Sequence, residues 1–334
     1  MSFQMLKESG GTFTKQWEWA PSKDARVTAR SDLDRCMVLD SPSATEVKRV
    51  DSTHFAALAG DGVAIVNEVP TPHLETGFCL PDTHNQHSLE VLPDHQVAVS
   101  EADGVYVYDL DKDHPRAKKF GSGKLFSSHT ALWDAASQDL YVTGTSKAKL
   151  QGDGIVAVFH YDTDDHTLID NPRIITITKD EKDAEDLSEA NTPHDLAGVP
   201  GKRELLISTE NEVFVYNLDT QQLIDARDYP FDSPYLAEYK SPSRIRNEKG
   251  YATSRFKSLG QFPDGTILYT QPTQWGSQPA ADLPTAVNLY KAGSTDPDHQ
   301  PAYSAKGDPT IYKARIFDPT PGWPAASESL PTAD

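Results

Sequence analysis

Three histidines stand at one recurring place in this sequence. His87 leads into Ser88-Leu89-Glu90-Val91-Leu92-Pro93, His129 into Thr130-Ala131-Leu132-Trp133-Asp134, and His194 into Asp195-Leu196-Ala197-Gly198-Val199-Pro200. After each run come a turn and further apolar runs. An imidazole exchanges its proton near neutral pH and is also the commonest metal ligand. Imidazoles from one repeated position would converge, and could then serve as an acid/base group or hold a divalent cation. His54, heading a weaker run through Leu58, is a further candidate. His84 lies three residues before His87 on a loop and could reach the same place, although no helix holds the two on one face. The competing reading of all of them is hydrogen bonding between repeats, with no chemistry.

A second group of residues has the opposite sign from the rest of the chain. From Ser243 to Lys257 there are five cations and one anion, and the run leads into a strand beginning near Lys257. Arg255 and Lys257 would share a side of an extended strand. Cations of this kind recognise carboxylates, Arg bidentately. Histidines, a cation and a tyrosine such as Tyr251 together suit β-elimination at a uronic acid: the cation neutralises the carboxylate and acidifies the C5 proton, a base removes it, and an acid protonates the departing O4. Glycoside hydrolysis wants two flanking carboxylates, and the repeated positions offer no clear pair. Trp275, in an irregular loop, could stack on a sugar ring. The acidic run Asp180–Glu189 lacks the ligand spacing of a calcium loop and reads as a solvated insertion. There is no phosphate-binding glycine loop, nucleophile elbow, Cys-x-x-Cys or His-Glu-x-x-His.

The elements that position these residues are short strands. Val-rich and alternating runs recur between Gly, Pro, Asp and Asn, among them 96–100, 104–108, 139–143, 154–159, 204–208 and 212–216. They group into repeats of three strands plus a weaker fourth, the pattern of a propeller blade. An all-β single domain over residues 1–334 is expected, a β-propeller with six blades by count and a seventh hidden in the excess between Pro234 and Arg255. Closure is expected from Ile311–Phe317 pairing with the early runs Trp17–Trp19 and Cys36–Asp40.

The chain of 334 residues carries 31 Lys and Arg against 50 Asp and Glu, a net charge of −19. That argues against nucleic acid and anionic membranes as partners. No run is long and apolar enough for a transmembrane helix. Two cysteines, Cys36 and Cys79, are expected to be buried thiols in preference to a bridge. The first residues lack the apolar core of a secretion signal, which leaves the compartment open between cytoplasmic and extracellular.

The blade starts Asn85-Gln86-His87-Ser88, Ser128-His129-Thr130-Ala131-Leu132-Trp133-Asp134 and Thr192-Pro193-His194-Asp195-Leu196 resemble those of the β-propeller polysaccharide lyases. They are most similar to the fungal lyases that remove rhamnose from the rhamnosyl-glucuronate caps of gum arabic. The resemblance spans roughly residues 15–317 and implies a seven-bladed propeller in an extracellular setting. It also implies a His base/acid and a cationic carboxylate neutraliser, carried here by His87, His129, His194 and Arg255. The expectation is a lyase acting on an acidic oligo- or polysaccharide as a monomer. His87 or His129 would transfer protons, with Tyr251 the alternative donor. His84, His194, Arg255, Lys257 and Trp275 would bind substrate. No organic cofactor is expected, and the identity of any divalent cation at the axis is left open. The alternatives are a non-catalytic interaction propeller and a metal-dependent propeller hydrolase or lactonase.

Overall fold

A computed structural model describes residues 1–10, 12–40, 43–81, 85–112, 117–148, 151–177, 192–209, 213–225, 245–246, 252–253, 256–270, 286–290, 303–304, 311–317 and 323. The chain opens with a hairpin, β1 (Phe3–Ser9) and β2 (Thr12–Trp19), followed by two single-turn helices, α1 (Ala25–Thr28) and α2 (Ser31–Asp34). The first sheet is β3 (Ala44–Arg49), β4 (His54–Ala59), β5 (Gly62–Asn67) and β6 (His73–Cys79). The second is β7 (Ser88–Leu92), β8 (Gln96–Glu101), β9 (Gly104–Asp109) and β10 (Lys118–Phe120). The third is β11 (Ala131–Asp134), β12 (Asp139–Lys147), β13 (Gln151–Asp162) and β14 (Thr167–Leu168), with β15 (Arg173–Ile177) paired to β13. The fourth is β16 (Pro193–Gly198), β17 (Glu204–Thr209), β18 (Val213–Asn217) and β19 (Gln222–Asp225). A short hairpin, β20 (Ile245–Arg246) and β21 (Ala252–Thr253), precedes the fifth sheet. That sheet is β22 (Ser258–Gln261), β23 (Ile267–Thr270), β24 (Ala286–Tyr290) and β25 (Tyr303–Ser304).

Each of the five sheets is an up-and-down antiparallel meander of consecutive strands, the blade topology of the β-propeller class. The described residues are all-β apart from a few helical turns near the start. Blade count and closure depart from expectation. Among the described residues the four-strand meanders number five, fewer than the six counted or the seven suspected. β2 pairs with β1 and not with Ile311–Phe317, and Cys36 to Leu39 is helical. The reason is visible in the sequence: Leu33, Cys36 and Met37 recur at helical spacing, and all three are buried.

The chain divides into two compact units. One comprises Met1–Val142 and Ala157–Arg173 with the last eleven residues, the other Thr143–Val156 and Ile174–Trp323. In the first, Leu58, Ile65, Leu89, Val97, Val99 and Tyr108 share one core between the first two sheets. In the second, Leu206, Val215, Phe256, Leu259, Ile267 and Tyr269 do the same for the fourth and fifth. Middle strands such as β5 and β8 are buried on both faces, so they read as continuous apolar runs and not as strict alternation. Trp323 is a further anchor in the second unit. Its indole N–H donates to the carbonyls of Val199 and Lys202, both at 3.1 Å. Its ring fills the space a side chain at Gly198 would need, since a Cβ there would come within 2.5 Å of it.

Cys36 and Cys79 form a disulfide, not two thiols. The turn after α2 lies against β6, with the Cα atoms 5.9 Å apart. Glycine makes this approach feasible, because a Cβ at Gly62 would sit 2.7 Å from Met37 Cγ. No described helix is long and apolar enough to cross a membrane.

The bridge closes a loop across a separation of 43 residues. Replacing both cysteines by serine is expected to cost about 2–4 kcal/mol in urea unfolding. Alkylation of the denatured, unreduced protein should find no free thiol.

Candidate functional site

The first strands of the second, fourth and fifth meanders carry the same device at their start. In the second sheet, Ser88 pairs across to Ser100, and the backbone N–H of His87 donates to the carbonyl of Ser100 at 3.0 Å. In the fifth, Ser258 pairs with Thr270, and Lys257 N–H donates to Thr270 at 2.9 Å. In the fourth, Asp195 pairs with Ser208, with a bulge that leaves His194 just before it. The buried side chain at this position then accepts a backbone N–H from the next first strand. Ser88 Oγ accepts from Ala131 N at 3.4 Å, and Asp195 Oδ2 from Leu259 N at 2.8 Å. Ser258 Oγ likewise accepts from Ala314 N at 3.0 Å. Within each unit this sets the register between neighbouring first strands.

The residue immediately before that position is the one the histidine pattern picked out. By register it is Thr45, His87 and His129 in the first unit, and His194, Lys257 and Tyr312 in the second. One pair of neighbours within each unit is in contact. The rings of His87 and His129 lie 4.3 Å apart between centroids, tilted by 32°. The amide nitrogen of Asn85 is 2.8 Å from His87 Nε2, so Nε2 accepts and Nδ1 carries the proton of the neutral ring. In the second unit, Lys257 Nζ lies 3.4 Å from His194 Nε2, where the ammonium donates to a neutral imidazole.

Charged groups at this position and farther along the strands are paired, and their carboxylates are buried. In the first unit Lys48 Nζ donates to Glu90 Oε2 at 3.0 Å and to the Ala131 carbonyl at 3.1 Å. Ser88 Oγ donates to Glu46 Oε2 at 2.8 Å. In the second unit Arg315 holds Asp195 in a fork, Nη1 to Oδ2 at 2.6 Å and Nη2 to Oδ1 at 2.8 Å. Asp195 has no solvent exposure. Such carboxylates are committed to the scaffold.

His87, His129, His194 and Lys257 therefore share one repeated position. His54 does not, because it starts β4, a second strand. Its Nδ1 is 2.9 Å from Asp51 Oδ2 within the tight turn after β3. The charged β3, Ala44-Thr45-Glu46-Val47-Lys48-Arg49, hides the true first strand from a search for apolar runs. His95, His160 and His166 are at the surface beside Asp111, Asp139 and Asp94. Hydrogen bonding to the Asp94 carboxylate holds the His166 imidazole above its usual range. His84, Tyr251, Arg255 and Trp275 lie outside the described residues, as do His114, His299 and the acidic run Asp180–Glu189. Sequence reasoning missed Thr45 and Tyr312; the only clue to either was its place relative to a repeat start. Among the described residues no three His, Cys, Asp or Glu side chains are grouped to hold a metal ion.

No family model matches this chain, and no curated protein does. Among solved structures, a protein of unknown function from Bacteroides caccae is 9% identical over 82% of this chain and 81% of that one, with a TM-score of 0.46. A chain from the nidogen/laminin complex is 11% identical over 87% of this chain and 88% of that one, with a TM-score of 0.49.

Arg315→Met would leave the Asp195 carboxylate buried without its partner. The expected loss is about 3–5 kcal/mol in urea unfolding, and Asp195→Leu with Arg315→Met should lose less than the sum of the single changes.

Proposed function

We propose that this protein is an extracellular carbohydrate-active lyase that cleaves a uronic-acid glycoside by β-elimination, with rhamnosyl-glucuronate ends of an acidic polysaccharide as substrate. The observation that carries the reading is the His87–His129 pair. Two imidazoles at this separation repel when both are charged, which favours one proton on the pair over two. A base and an acid are then side by side.

Under this reading the neutral ring takes the C5 proton of the uronate. The electrons of that C–H bond form the C4–C5 double bond as the C4–O4 bond breaks, and the charged ring gives its proton to O4 of the leaving rhamnose. The carboxylate must be neutralised for C5 to acidify. From the sequence, Lys257 and His194 are assigned carboxylate binding; within the second unit Lys257 Nζ and His194 Nε2 lie 3.4 Å apart. Arg255 is assigned the same task, Tyr251 the alternative proton donation, and His84 and Trp275 sugar contacts, all from the sequence. No organic cofactor is invoked. The Cys36–Cys79 bridge supports an oxidising compartment, as an extracellular setting requires.

Incubation with a rhamnosyl-glucuronate oligosaccharide should produce the ultraviolet absorbance of a 4,5-unsaturated uronate. His87→Ala and His129→Ala should each lower kcat about 10²–10⁴-fold while unfolding stays unchanged. Lys257→Ala should act mainly on KM. A flat trace with the intact protein, or full turnover in both histidine variants, contradicts the reading.

A further inference from the structure

We propose that Tyr312 is a ligand-contacting residue of the second unit in series with His194 and Lys257, its phenol donating a hydrogen bond to an oxygen of a sugar acid. The inference rests on the uronate reading for the class of ligand, but its geometry is independent of that reading. Ile311–Phe317 belongs to none of the five meanders, yet it is bonded to β22 as one first strand is bonded to another. Ser258 Oγ accepts from Ala314 N, just as Asp195 accepts from Leu259 and Ser88 from Ala131. In each case the donor is two residues beyond the position that precedes the stitch. Counting back two from Ala131 gives His129, from Leu259 gives Lys257, and from Ala314 gives Tyr312.

A second bond fixes the same register. Thr270 Oγ1, on the strand paired with β22, donates to the Tyr312 carbonyl at 3.4 Å. The fork between Arg315 and Asp195 then ties the segment back to β16. Lys313 places its ammonium 5.6 Å from the centre of the Tyr312 ring. A tyrosine thus follows His194 and Lys257 in the series, in the company of cations. Its O–H supplies a neutral donor that a carboxylate or a sugar hydroxyl accepts. The chemistry that matches an ammonium, an imidazole and a phenol in succession is a hydroxylated carboxylate, a sugar acid and not a neutral sugar.

The test places 3-fluorotyrosine at position 312 of the full chain, which preserves the phenol and the fold, and follows its fluorine NMR signal as D-glucuronate is added. The signal should shift and saturate, and the shift should vanish in Lys257→Ala. A signal that does not move at any glucuronate concentration overturns the assignment. Turnover of rhamnosyl-glucuronate by the same samples separates the two claims. Turnover with an unmoved signal removes Tyr312 and leaves the lyase; a moved signal without turnover keeps Tyr312 in a sugar-acid site and removes the lyase.

Discussion

One hydrogen bond underlies the arrangement: the side chain at the start of a first strand captures a backbone N–H of the next. Ser88, Asp195 and Ser258 all do this, and all are fully buried. A buried N–H without a partner costs about 1–3 kcal/mol, so a slip by one residue would carry that penalty and also turn every side chain to the wrong face. The stitch therefore sets register, and register sets which residue occupies the position just before it. A change of side chain at that position need not disturb the stitch.

The division of labour follows from burial. Carboxylates at or beyond the stitch are held by cations or hydroxyls: Glu90 by Lys48, Glu46 by Ser88, Asp195 by Arg315. Their replacement would destabilise the fold. The residues before the stitch differ in type, threonine, histidine, lysine and tyrosine, while their backbone relation repeats. The repeated backbone thus accepts different side chains at one position.

Much of this was readable from the chain. The Val-rich runs became β8, β9, β12, β13, β17 and β18, and the three histidines fell at one register position. The rest is hidden from local sequence patterns for physical reasons. β3 is half charged, because Lys48 and Glu46 are satisfied by partners on β7 about forty residues away. That misplaced His54 by one strand. Lys257 fills the histidine position with another side chain, so a pattern of histidines does not reveal it. The helical spacing around Cys36 was overlooked in favour of a short apolar run, and with it the bridge to Cys79. The Arg315–Asp195 fork joins residues separated by 120 positions, and no local pattern announces such a contact.

The central claim is that the repeat position couples His87 and His129 into one proton-sharing unit. Following both imidazole rings by proton NMR across the neutral range measures this directly. The account predicts two interdependent titration steps for the pair, collapsing to a single step for His87 in His129→Ala. Two independent single-step curves, with His87 unchanged by loss of its neighbour, would contradict it.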